Sequence, residues 1–60
     1  MNIIEAAKAM ERGEKVVSPR YPNEIVYGDC KWMQKGKPET TADWLPSLHS
    51  LLATDWEIAL

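Results

Sequence analysis

The chain reads as an α+β domain: an N-terminal helix, a small antiparallel β-sheet, a short C-terminal helix and a terminal strand. Three observations predict it. Residues 3 to 12 repeat apolar side chains at helical spacing and stop at Gly13. The middle of the chain is rich in β-branched and aromatic residues and is broken by Gly28-Asp29. The last seventeen residues, Trp44 to Leu60, read as turn, short helix and alternating strand. A period near 3.6 marks a helix and a period of two marks a strand, so this order of periods gives the order of elements.

Asn2 followed by Glu5 forms a capping box with asparagine in place of serine or threonine. Ile3, Ala7 and Met10 then share one face, widened by Ile4 and Ala6, while Glu5, Lys8, Glu11 and Arg12 face water. Gly13 closes the helix in the left-handed region. Lys15-Val16-Val17-Ser18 suits a short strand that Pro19 ends or holds at an edge, and Arg20-Tyr21-Pro22-Asn23 is a loop. Glu24–Tyr27 and Cys30–Gln34 pair as a hairpin across Gly28-Asp29. Lys35 to Thr41 contains both Gly36 and Pro38 and is expected to be a mobile loop. Ser47 caps a helix over Leu48–Ala53, and Pro46 stops that helix from starting earlier. Trp56, Ile58 and Leu60 alternate with Glu57 and Ala59 to give a closing strand with one apolar face.

Sixty residues, 45% of them hydrophobic and 27% charged, form one small domain spanning 1–60. A core of that size is marginal. The lone Cys30 excludes an internal disulfide, and one histidine with one cysteine makes a poor metal site. The expected source of extra buried surface is a homo-oligomer. No apolar run approaches the about 20 residues that cross a bilayer, and the N-terminus lacks a basic secretory start, so the expected location is cytoplasmic with no membrane partner. Net charge is −2, and residues 1 to 37 hold all seven Lys and Arg against five acids, while residues 38 to 60 hold four acids and no base. No basic cluster is dense enough for duplex nucleic acid.

Catalytic patterns are thin. Ser47, His49 and Asp55 include the residue types of a hydrolase triad, but Ser47 and His49 are two apart on a short helix and project differently. Gly13, Gly28 and Gly36 stand alone in turns, so no phosphate loop is present. The chain is expected not to be an enzyme and to need no cofactor. Recognition remains, because Tyr21, Tyr27, Trp32, Trp44 and Trp56 are five flat rings able to stack on a base or anchor an interface. Tyr21 sits in a Pro-bounded loop beside Arg20, which suits a phosphate.

The run Trp44, Pro46, Ser47, Leu51, Leu52, Ala53, Asp55, Trp56, Glu57 resembles the C-terminal signature of the second type of Thoeris anti-defence family, small phage and prophage proteins. Glu5-Ala6-Ala7 through Met10, Gly13 and Val16 resembles that family's opening, and Tyr21 stands where the family usually has tryptophan. The resemblance covers about thirty-five of the sixty residues. It implies a symmetric oligomer in the bacterial host cytoplasm that sequesters a cyclic nucleotide or ADP-ribose-type immune signal without cleaving it. Arg20 would meet phosphate, Tyr21 and Trp44 would stack, and Ser47 and Asp55 would contact base or ribose. One relative inhibits a CRISPR nuclease instead, so an alternative is a host defence protein bound through the acidic back half; a structural module is a third reading. Two departures stand out: Ser50 replaces the family's aspartate, and the middle from Tyr27 to Trp44 is shorter.

Overall fold

The computed structural model describes residues 1–60. The elements run α1 (Ile3–Glu11), β1 (Val16–Val17), β2 (Glu24–Tyr27), β3 (Lys31–Gln34), β4 (Lys37–Asp43), α2 (Leu48–Leu52) and β5 (Glu57–Ile58). All strand pairs are antiparallel, in the order β4-β3-β2-β1-β5. The fold is the expected α+β arrangement, with one strand more than the sequence predicts. No helix is long and apolar enough to cross a membrane.

Helix α1 is closed at both ends by its own residues. The Glu5 N–H donates to Asn2 Oδ1 at 2.9 Å and the Asn2 N–H donates to Glu5 Oε1 at 3.0 Å, the reciprocal capping box. At the other end Gly13 takes φ 90°, its N–H donates to the Met10 carbonyl, and the Glu14 N–H donates to the Ala9 carbonyl. That pair of bonds is the Schellman closure, which needs the left-handed residue glycine supplies. The buried stripe is turned from the expected one. Ala6, Ala9 and Met10 face inward with Ile3 beside them, whereas Ala7 and Ile4 face out. The Ala6 and Ala9 methyls pack into the core with Val16, Val26 and Trp56, and Ile4 is left exposed.

The sheet presents Val16, Val26 and Trp32 in one register line, since Val16 pairs with Val26 and Val26 with Trp32. This face meets Ala6, Ala9, Met10 and Trp56 to make the core. Val17, Ile25 and Met33 alternate to the other face.

The expected mobile loop over residues 35 to 41 is instead mostly the edge strand β4. Gln34 pairs with Lys37 across Lys35-Gly36, a two-residue turn with Gly36 at φ 76°. Pro38 is tolerated because β4 lies at the sheet edge, where one side of the strand needs no partner. Between the Trp32–Ala42 and Gln34–Lys37 pairs, β3 advances two residues while β4 advances five. The resulting bulge is bridged by a side chain, the Gln34 N–H donating to Thr40 Oγ1 at 2.8 Å, while the Thr41 hydroxyl bonds the Tyr27 hydroxyl of β2 at 2.6 Å. Cys30, expected to open the strand that ends at Gln34, is instead exposed in the β2–β3 turn at φ 57°. The Tyr27–Lys31 pairing leaves three residues for that connection, and its last position takes the left-handed conformation.

The terminal strand is shorter than its alternation suggests. Trp56 is buried as expected, but Ile58 and Leu60 are exposed, because β5 pairs through only Glu57 and Ile58 with β1 and has no neighbour on its outer side. Trp56 precedes β5, where its backbone N–H donates to the Met1 carbonyl at 2.9 Å.

Candidate binding site

Two short segments build the site. The first is the loop from Ser18 to Glu24. The Ser18 hydroxyl accepts the Arg20 N–H at 3.3 Å, the Tyr21 N–H donates to the Ser18 carbonyl at 2.9 Å, and the Glu24 N–H donates to the Tyr21 carbonyl at 3.0 Å. These successive turns send Arg20 and Tyr21 into different hollows, although they are neighbours in sequence. Ser18 itself is buried.

The second segment runs from Trp44 to Trp56. The Trp44 N–H donates to the Cys30 carbonyl at 2.9 Å, fixing the chain as it leaves β4. Ser47 caps α2: its hydroxyl accepts the Ser50 N–H at 3.3 Å and pairs with the Ser50 hydroxyl at 3.3 Å. The Trp56 indole N–H donates to the Ser50 carbonyl at 3.0 Å, a buried bond that holds α2 down. The Trp44 and Trp56 rings meet edge to face at 5.7 Å and 89°, the arrangement their quadrupoles favour. Trp56 is 3% exposed while Trp44 is half-buried, so the pair is anchored at one ring and open at the other.

The first hollow, about 320 Å³, is lined by Tyr21, Trp32, Trp44 and Trp56, with the carboxylates of Glu24 and Asp43 in its wall. The second, about 420 Å³, is polar and is lined by Arg20, His49, Thr54 and Asp55. Both are within the size range of small-molecule sites. They share Ser18 and Ser50 as lining residues.

Of the residues the sequence singles out, Tyr21, Trp44 and Ser47 come together in the first hollow, and Arg20 and Asp55 in the second. Ser47 and His49 line different hollows, and the Ser47 hydroxyl is engaged with Ser50 rather than with a base. Sequence reasoning misses Ser18 and Ser50. The spacing of Ser50 three residues after the cap Ser47 is the one signal that could have pointed to it. Trp32 and Trp56 also contribute walls.

Electrostatically the hollows differ. In the first, Asp43 is ion-paired with Lys31, and the hydrogen bond from that ammonium, followed by its charge, lowers the Asp43 pKa and raises that of Lys31. Glu24 has no such partner. In the second, Arg20 is exposed and makes no ion pair, so its guanidinium keeps all its donors free. No three His, Cys, Asp or Glu side chains gather as a metal site. Comparison with protein-family models, curated proteins and solved structures finds no match for this chain.

Proposed function

We propose that this chain is a phage or prophage anti-defence protein that binds a nucleotide-derived signalling molecule stoichiometrically and holds it without cleaving it. One observation carries the reading: a hollow walled by Tyr21, Trp32, Trp44 and Trp56 shares two lining residues, Ser18 and Ser50, with a hollow carrying Arg20. A nucleotide has the same two parts, a flat base and an anionic phosphate. Base–aromatic stacking contributes about 1–3 kcal/mol per base, and a free guanidinium offers a fork that matches phosphate oxygens. The exposed Thr54 supplies a hydroxyl for the ribose that links the parts. In this reading Tyr21 and Trp44 stack, Arg20 takes the phosphate, Ser47 lies at the base end, and Asp55 lies at the phosphate end, where it suits a ribose hydroxyl.

The C-terminal run from Trp44 to Glu57 supports the anti-defence context through its resemblance to the family named above. The competing idea of an acidic face docked on a host nuclease has less support, because Asp43 is neutralised by Lys31. Titration calorimetry against a panel of cyclic nucleotides and cyclic ADP-ribose isomers tests the proposal. The expected result is saturable binding at a fixed ratio to protein, with the ligand recovered intact by chromatography and binding weakened in Arg20→Ala and Trp44→Ala. Silence across the panel, or a ligand recovered cleaved, would refute it.

A further inference from the structure

One charge in the aromatic hollow is left without a partner. Successive residues of β2 alternate between the faces of the sheet, so Glu24 shares a face with Val26, and Val26 pairs with Trp32. The chain therefore sets a carboxylate on the face that builds its core, beside a valine and a tryptophan that line the hollow with it. Glu24 is half-buried there and forms no ion pair. The other acid of the lining, Asp43, is neutralised by Lys31, and no Lys, Arg or His lines the hollow. What remains is a single uncompensated negative charge among Tyr21, Trp32, Trp44 and Trp56.

That combination favours a guest of one sign. Aromatic rings attract a cation to their faces through the same quadrupole that sets Trp44 and Trp56 edge to face. A carboxylate partly withdrawn from water gains from a positive partner and repels a negative one. The two effects add. A neutral flat ring gains the stacking and leaves Glu24 unanswered, whereas an alkylated nitrogen cation answers both and brings apolar methyl groups to an apolar wall. The planes of Trp44 and Trp56 cross at 89°, so the hollow is walled in more than one direction rather than slotted between parallel rings.

We propose that the aromatic hollow is a site for a small organic cation, an alkylated nitrogen held by the aromatic walls and by the charge of Glu24. The site goes beyond the nucleotide reading and does not depend on it. A nucleotide whose base carries a positive ring nitrogen would suit both hollows, and a free quaternary ammonium compound would occupy this one alone.

Two matched pairs test it, titrated into the ¹⁵N-labelled full chain while the tryptophan indole signals are followed by NMR. One pair is nicotinamide methylated on its ring nitrogen against plain nicotinamide; the other is choline against its uncharged tert-butyl analogue. The cation of at least one pair is expected to bind at least about tenfold tighter than its neutral counterpart and to shift the Trp32 and Trp44 indole signals. Binding of the flat cation identifies a base-like guest, and binding of choline identifies a quaternary ammonium compound. Glu24→Gln keeps the side chain's shape and is expected to cut the preference at least about threefold. Should that variant unfold, the pairs on the parent chain still decide. Ammonium chloride at the same concentration controls for the overall charge of −2. Neutral members that bind as well as the cations would overturn the proposal, as would silence from both cations, equal shifts with ammonium, or a preference that folded Glu24→Gln leaves unchanged. Silence here with saturable binding of an ordinary nucleotide would remove the cation site and leave the nucleotide reading standing; cation binding with silence across the nucleotide panel would do the reverse.

Discussion

Trp56→Phe is the substitution that most directly probes how α2 is held. Phenylalanine keeps an aromatic ring in the buried position but removes the indole N–H that donates to the Ser50 carbonyl at 3.0 Å. That carbonyl then lies buried without its donor, at a cost of about 1–3 kcal/mol. The smaller ring also gives up part of the edge-to-face contact with Trp44, itself worth about 0.5–1.5 kcal/mol. Together the expected loss is about 2–4 kcal/mol, set against a total stability of about 3–9 kcal/mol for sixty residues at the usual per-residue value. A loss of that size lowers the melting midpoint by about 10–25 °C in so small a domain. Urea and thermal unfolding followed by far-ultraviolet circular dichroism measures it, avoiding the overlapping fluorescence of three tryptophans. A variant within about 0.5 kcal/mol of the parent, the range of inconsequential surface changes, would show that the indole bond does not pin the helix.

The remaining predictions concern the cap and the edge strand. Ser47→Ala removes the hydroxyl that accepts the Ser50 N–H and is expected to cost about 1 kcal/mol in urea unfolding, the usual worth of an N-cap. Lys31→Gln is expected to bring the Asp43 titration, followed by carboxyl NMR, up toward the ordinary carboxylate range. The sign follows from the shifts: Asp43 adds stability above its unfolded pKa that is lost as pH falls through its lowered folded value, and Lys31 adds stability below its unfolded pKa that is lost as pH rises through its raised folded value. Both side chains are exposed, so the pair changes the titration far more than it changes stability.

Local chemistry made the helix ends legible: Asn2 with Glu5, Gly13 and Ser47 act where their residue types predict. The β2–β3 hairpin was legible from alternation, although its turn includes Cys30. What escaped depends on position within the sheet. Pro38 reads as a breaker until β4 is known to be an edge, and the bulge that lets the Thr40 hydroxyl accept the Gln34 N–H has no signature in sequence. Ile4 and Ala7 fit the helical period as well as Ala6 and Ala9, so periodicity alone could not say which set faced the core. The candidate site divides in the same way. Residue type singled out Tyr21 and Trp44, which line one hollow, but the division of Arg20 and Tyr21 between two hollows depends on turns centred on Ser18. Likewise, the burial of Ser50 reverses what the leucine-rich stretch around it suggests.

In the proposed binding mode one guest spans the two hollows. Two-dimensional ¹H–¹⁵N NMR of the labelled chain, titrated with the tightest member of the nucleotide panel, reads both at once. The reading predicts that the Trp44 indole signal and the backbone amides of Ser18, Arg20 and Ser50 shift together and saturate at one ratio. Shifts limited to one hollow, or no shift in either at saturating ligand, would contradict it.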